Sequence, residues 1–248
     1  MKDLYVHYET VTNHVLTRGV DLIYDDFSNE FFPENMILSE EPVDFGRFDA
    51  QTNFKILRGR QEVMHYMQTV HQDKLRISNW TDFETVEMMH LLEPSEVAEI
   101  LYLFHSSKPL RSAFFYKLQN NFVFLTLPNG LNKTYYRHIE HFYPRFSRVM
   151  TKAMEEVIND TRGFFSRKVR LDKMPEEIGA ALLDDFKNGL KINLNQSYTA
   201  DNIYYIPLDI IEDDLSKLTI NQRPKEHIAL ISYNHNTKKW QLERIEHQ

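Results

Sequence analysis

Apolar residues recur mostly at helical spacing along this chain. Leu4, Tyr8, Val11 and Val15 fall on one helical face, and Gly19 follows where a left-handed residue commonly ends a helix. The spacing predicts a helix over residues 3–18, although the first apolar positions also alternate as in a strand. Apolar stripes, together with proline and glycine near the ends, predict five further helices over residues 60–73, 81–92, 94–105, 144–160 and 175–189.

Strand patterns are shorter and lie in the second half of the chain. Residues 122–127 form a β-rich apolar run, and a Pro-Asn-Gly turn precedes a return strand over residues 133–138. A buried strand is expected at residues 203–206, and a hairpin with a longer loop joins residues 227–233 to residues 240–245. These elements predict an α+β fold in which helices pack on short antiparallel β-hairpins or a meander.

One short segment, residues 112–118, is ambiguous between helix and strand. Phe114, Tyr116 and Leu118 alternate, yet Phe114 and Leu118 also lie four residues apart. If the segment is helical, residues 93–137 have the element order of a winged helix. If it is extended, it forms the first strand of a meander that fills a core.

Composition restricts the class of protein. The chain has 248 residues, enough to bury a large core, and it has no cysteine, which excludes disulfides, zinc-thiolate sites and a cysteine nucleophile. No apolar run approaches the roughly 20 residues that span a bilayer, and the start is not a secretory signal, so we expect a soluble cytoplasmic protein without membrane association. A single domain over residues 1–248 is expected, with a division into 1–165 and 166–248 as the alternative.

Several well-known catalytic and nucleotide-binding motifs are missing from the sequence. The chain has neither a P-loop nor a Gly-rich dinucleotide turn, and it has no zinc-protease helix or serine-hydrolase elbow. Two Glu-x-x-His pairs, Glu62 with His65 and Glu87 with His90, have the spacing of bundle metal sites, but the inward-facing glutamates of the other helices are not evident. We therefore predict no metal and no cofactor.

The densest polar and aromatic cluster lies where the central hairpin meets the helix that begins near residue 144. His138 and His141 are candidates for proton transfer, because histidine changes charge near neutral pH. The alternative is that the aromatic residues join the core and the charged residues form a solvated rim. The candidates for holding an anion such as a phosphate are Tyr136, Arg137, Arg145 and Arg148.

A nucleic-acid surface follows from the winged-helix interpretation. Its candidate contacts are Lys108, Arg111, Lys117 and Lys133. A net charge of -7 argues against a wholly basic surface but leaves a local basic face open.

The sequence thus leaves three functions open. The leading hypothesis is a non-enzymatic binding or regulatory protein with a protein or nucleic-acid partner, because catalytic signatures are missing. The alternatives are a nucleic-acid-binding protein that uses residues 93–137, and a hydrolase or transferase that acts on a phosphorylated substrate through His138 and His141.

Overall fold

A computed structural model describes residues 3–28, 30–39, 45–75, 77–105, 112–127, 130–160, 168–211 and 227–245. Helices and antiparallel strands both occur, which confirms the α+β prediction. The chain divides into a first unit of Met1–Tyr8, Thr17–Asp21 and Tyr143–Gln248, and a second unit of Glu9–Leu16 and Leu22–Phe142. Whether the chain behaves as the single domain expected from the sequence stays a prediction.

The strands and helices are numbered in chain order. The strands are β1 (Leu4–Glu9), β2 (His14–Arg18), β3 (Asn35–Leu38), β4 (Arg47–Phe48), β5 (Lys55–Arg58), β6 (Trp80–Phe83), β7 (Phe122–Thr126), β8 (Asn132–Tyr136), β9 (Leu190–Ile192), β10 (Tyr198–Ala200), β11 (Ile203–Ile210), β12 (Ala229–Asn234) and β13 (Lys239–Arg244). The helices are α1 (Arg60–Gln72), α2 (Val86–Met89), α3 (Pro94–His105), α4 (Tyr143–Asp160), α5 (Glu176–Ala181) and α6 (Leu183–Lys187).

The first unit is a helical layer on an antiparallel sheet. Its strands follow the order β13, β12, β11, β9, β1, and the short β10 pairs with β11. Helix α4 packs against α5 and β11 through an apolar face that includes Phe146, Met150 and Val157. Gly179 of α5 faces α4, where a Cβ would make ordinary van der Waals contact at 3.4 Å from the Phe146 ring.

The second unit is built on a sheet with the order β2, β8, β7, β6, β3, β5, β4, and from β8 to β4 each strand is antiparallel to the next. Helix α3 begins at Pro94, as its proline predicts, and buries Ile100, Leu103 and Phe104. These side chains share one core cluster with residues of the strands, among them Ile37, Ile56, Val123 and Leu125.

The predicted helix over residues 3–18 is wrong. The segment forms β1 and β2, joined by a turn in which Asn13 has a φ of 53°. Leu4, Tyr5 and Val6 are all buried, so both faces of β1 are covered and the apolar Tyr5 obscures the alternation of Leu4, Val6 and Tyr8. The spacing of Leu4, Tyr8, Val11 and Val15 matches that of a helix although the segment is extended.

Two other helix predictions are partly wrong. Residues 81–92 divide into the end of β6 and the four-residue helix α2. Thr85 caps the start of α2, because its side chain accepts a hydrogen bond from the Met88 amide. Residues 175–189 form two short helices, α5 and α6, that meet at Leu182. Helices α1, α3 and α4 and the two predicted hairpins are confirmed.

Residues 112–118 form neither of the predicted structures. They make turns, because Asn120 bonds to two backbone groups of the segment: its Oδ1 accepts from the Phe115 amide at 2.8 Å, and its Nδ2 donates to the Ala113 carbonyl at 3.0 Å. A side chain that satisfies backbone groups in this way replaces the bonds of a helix or strand. The recognition helix that a winged-helix unit needs is therefore missing from residues 112–127.

Candidate functional site

His138 and His141 lie together on the second unit, with ring centroids 5.8 Å apart. His138 is exposed, whereas the His141 ring packs 4.3 Å from Phe31 and 5.4 Å from Phe122. Burial lowers the pKa of His141, and the nearby His138 adds to this effect. Its Nδ1 is buried without a hydrogen-bond partner among the described residues, so no described carboxylate orients the ring through this nitrogen.

Tyr136 and Arg137 contribute to the structure of the same unit. Tyr136 is buried, and its ring meets those of Phe122 and Phe142 edge to face. Arg137 donates from Nε to the Asn120 carbonyl at 2.8 Å, and its guanidinium lies 5.0 Å from the Phe114 ring centroid. These contacts hold Arg137 against its own chain, which makes it a weak candidate for an anion ligand.

Arg145 and Arg148 belong to the first unit, where they bind the segment that follows β2. Arg145 is fully buried and donates to the Val20 and Asp21 carbonyls and to Thr17 Oγ1. Arg148 donates to the Asp21 carbonyl at 2.6 Å. Both guanidinium groups thus bind main-chain oxygens near the start of α4.

The predicted nucleic-acid contacts are occupied or buried where the structure describes them. Lys117 pairs with Glu96 at 2.7 Å and with Glu93 at 3.6 Å. Lys133 is buried in β8, where burial lowers its pKa and its Nζ lies 5.7 Å from the Tyr135 ring centroid. Lys108 and Arg111 lie outside the described residues.

The two Glu-x-x-His pairs have separate partners. Glu62 accepts a hydrogen bond from the Arg58 amide at 2.9 Å, and His65 packs on Phe45. His90 bonds through Nε2 to Asp49 at 3.0 Å. Within the described parts of the chain, no three His, Asp or Glu side chains come together as metal ligands would.

A different cluster forms on the sheet of the first unit. The strand register sets Tyr5 of β1 opposite Lys191 of β9, and Lys191 opposite Asp209 of β11. Residues directly opposite each other share one face of an antiparallel sheet. Three titratable side chains therefore stand in a row across three strands, and none of them is among the candidate residues predicted from the sequence.

Asp209 anchors this row. Its side chain is fully buried, and its Oδ1 lies 2.6 Å from Nδ1 of His227, whose side chain is 37% exposed. Asn193 donates to the other carboxylate oxygen. Burial raises the pKa of Asp209, while the hydrogen bond and charge of His227 and the charge of Lys191 oppose that rise.

The neighbouring groups are charged or polar as well. Lys191 pairs with Asp3 at 3.0 Å, and Asp3 also accepts from Asn195 Nδ2 at 3.1 Å. The hydroxyl of Tyr5 is buried, has no hydrogen-bond partner among the described residues, and has a pKa raised by burial. With two carboxylates against one ammonium among the described residues, this face is more suitable for a neutral or cationic ligand than for an anion.

The hydrogen bond to Asp209 fixes the tautomer of His227. Because the Asp209 carboxylate accepts at Nδ1, the neutral imidazole carries its proton on that nitrogen and presents the lone pair of Nε2. No described residue bonds to Nε2. A partly exposed imidazole with a fixed tautomer is the arrangement that general acid–base catalysis requires.

The sequence contains a weak signal for this site. Asp209 interrupts the apolar stretch Ile206 to Ile210, and a carboxylate inside a buried strand needs a hydrogen-bonding partner. His227 lies 18 residues further along the chain, just before β12. Periodicity cannot pair two positions that only the strand register brings together.

Comparisons with protein-family models, with curated proteins and with solved structures found no match to this chain. Among the residues that the structure describes, no helix combines the length and the apolar character needed to cross a membrane. A function must therefore be inferred from the side chains themselves.

Proposed function

We propose that this protein is a hydrolase or transferase in which His227 is the acid–base residue and Asp209 positions it. The observation that carries the proposal is the 2.6 Å bond between a fully buried carboxylate and a partly exposed imidazole. A buried carboxylate that fixes one ring nitrogen leaves the other nitrogen to exchange protons with a substrate. The proposal keeps the reaction class of the enzyme alternative, which was not the leading hypothesis from the sequence, and moves it away from His138 and His141.

The described residues around His227 include no hydroxyl or thiol group bonded to Nε2, so water is the nucleophile in the simplest mechanism. Nε2 takes a proton from water while the water oxygen attacks the carbonyl carbon of an ester. The bond to the leaving alcohol then breaks, and the imidazolium returns the proton to the leaving oxygen. The products are an acid and an alcohol, and the imidazole is regenerated.

Charge favours a neutral or cationic substrate over a phosphorylated one. Among the residues of this face that the structure describes, Asp3 and Asp209 outnumber Lys191, and Lys191 already pairs with Asp3. A phosphate would need cations that are not already neutralised. The phosphorylated substrate of the enzyme alternative is therefore not the one that this face favours.

The proposal is tested with p-nitrophenyl acetate, a neutral ester whose hydrolysis releases a coloured phenolate. His227→Ala should lower kcat/KM by about 100-fold, the usual contribution of a general base. His138→Ala is the matched control, because His138 is exposed and has no carboxylate partner among the described residues. Equal rates for the wild type and the His227 variant would overturn the proposal.

A second variant separates positioning from folding. Asp209→Asn keeps the shape of the side chain but removes the charge that stabilises the imidazolium. The rate should fall about tenfold, and the acid limb of the pH–rate profile should move to lower pH. A merely structural role for Asp209 would lower the amount of folded enzyme without moving the profile.

A non-enzymatic binding or regulatory protein is the second candidate. The buried Tyr5 hydroxyl favours it, because a polar atom without a partner among the described residues is a natural contact for a bound ligand. The nucleic-acid alternative has less support, since Lys117 is already paired and residues 112–118 are not helical. Loss of ester hydrolysis only in the His227 variant would favour the enzyme over both.

A further inference from the structure

The outer edge of β13 has no partner among the described strands. β13 is the last strand in the order of the first unit and spans six residues, Lys239–Arg244. An edge of this length presents a row of backbone donors and acceptors that another strand can bind. By contrast, β4, at the end of the strand order of the second unit, has only two residues.

The backbone register defines which groups face outward. The Ile245 amide donates to the Ile228 carbonyl at 3.0 Å, so the odd-numbered residues of this strand bond toward β12. Antiparallel strands alternate between residues that bond to one side and residues that bond to the other. Trp240, Leu242 and Arg244 therefore direct their N–H and C=O groups away from β12.

We propose that two copies of this chain pair through the outer edges of β13, antiparallel and centred on Gln241. Side chains alternate between the two faces of a strand, and residues that pair across the edge have to lie on the same face. A two-fold axis normal to the sheet must therefore pass next to one residue, which pairs with its own copy. Trp240 of each copy then exchanges both backbone hydrogen bonds with Leu242 of the other. The pairing uses the groups that face outward and leaves the bonds to β12 intact.

The side chains suit this register. Lys239 of each copy stands opposite Glu243 of the other, so two ion pairs form across the edge. Trp240 and Leu242, both half-buried, meet on the other face of the sheet. Centring the axis one residue later would set Lys239 against Ile245 and lose both ion pairs.

Charge exchange tests the register directly. Lys239→Glu and Glu243→Lys each replace two attractive contacts by two repulsive ones, and each should raise the dimer dissociation constant by about tenfold. The double variant restores opposite charges and should recover the wild-type constant. Within one strand the two residues lie about 13 Å apart, so the recovery reports a contact between copies.

Sedimentation equilibrium from micromolar to millimolar protein measures these constants. Lys74→Glu is the matched control, because it makes the same charge change at an exposed site of the second unit and should leave dimerisation unchanged. Far-UV circular dichroism checks that each variant is folded, and Glu243→Lys needs this check most because Glu243 accepts a hydrogen bond from Ser232. A wild type that stays monomeric at millimolar concentration, or a double variant that fails to recover, would overturn the proposal.

Discussion

Asp82 is a buried carboxyl group whose protonation ties the stability of the protein to pH. Its oxygens accept from the Asn121 and Phe122 amides at 2.7 to 3.0 Å. Burial nevertheless raises the pKa of Asp82 to about 7, although these bonds and the attraction of Arg137 oppose the rise. An unfolded chain loses the same proton near pH 4. Between these values the folded state binds more protons than the unfolded state.

We predict that this contribution to the free energy of unfolding decreases as pH rises from about 4 to about 7 and is constant above that. Asp82→Asn removes the titration, so the stability of the variant relative to the wild type should increase by about 2 to 4 kcal/mol across that range. Urea unfolding at pH 4.5, 6 and 7.5 measures the difference. A difference that does not change with pH would contradict the prediction.

Asp49→Asn is the control for this experiment. Burial also acts on Asp49, but hydrogen bonds from His90 and from Thr52 and Gln51 lower its pKa below the ordinary value. A lowered pKa contributes stability that is complete above about pH 4 and is lost only in stronger acid. The same substitution should therefore give a difference that is flat over the range in which Asp82 titrates.

At the level of single residues, the sequence indicated which side chains carry charge but not what they contact. Arg145 was a candidate for binding an anion, yet its guanidinium is bonded to Val20, 125 residues away along the chain. Lys133 follows a turn that predicts an exposed position, but β8 buries it. Burial and partners depend on long-range packing, which local spacing does not encode.

The hairpin of β12 and β13 allows a prediction at the level of an element. Asn234 Oδ1 accepts from the Asn236 and Thr237 amides at 2.9 and 3.0 Å, and Lys238 closes the turn with a φ of 59°. Asn234→Ala removes both side-chain bonds and should destabilise the protein by about 1 to 2 kcal/mol. Thermal and urea unfolding measure the loss.

Lys238→Gly is the contrasting substitution in the same turn. Glycine adopts positive φ without strain, but it also gives the unfolded chain more freedom, so the two effects largely cancel. The expected change is within about 0.5 kcal/mol of the wild type. Equal losses for both substitutions would mean that the bonds of Asn234 do not stabilise the turn.

Elements were predictable where one face is apolar and the ends carry specific residues. Helices α3 and α4 have apolar stripes and a proline within the first two positions, and both were predicted. β1 was missed because the buried Tyr5 obscures the alternation of its neighbours, and residues 112–118 were missed because one side chain, Asn120, determines their turns. Periodicity detects neither the pairing of β1 with a distant strand nor a bond between a side chain and the backbone.

At the level of the whole molecule, the chain passes between its two units four times. The first unit contains residues from both ends of the chain. Its strand β1 pairs with β9, so that Leu4 lies opposite Ile192, far away in the sequence. No local pattern predicts such pairing, which is also why the row of Tyr5, Lys191 and Asp209 was missed. The connectivity bears on cooperativity, because unfolding either unit frees segments that continue directly into the other.

The two tryptophans test whether the chain unfolds as one domain. Trp80 is fully buried in the second unit, and Trp240 lies in β13 of the first. Trp80→Phe and Trp240→Phe each leave one fluorophore, so each variant reports on a single unit. For a single domain we expect the fluorescence transition of each variant to coincide with its own far-UV circular dichroism transition in urea. Comparison within each variant removes the stability change caused by the substitution, and fluorescence midpoints displaced from the dichroism midpoints would instead make each unit a separate cooperative domain.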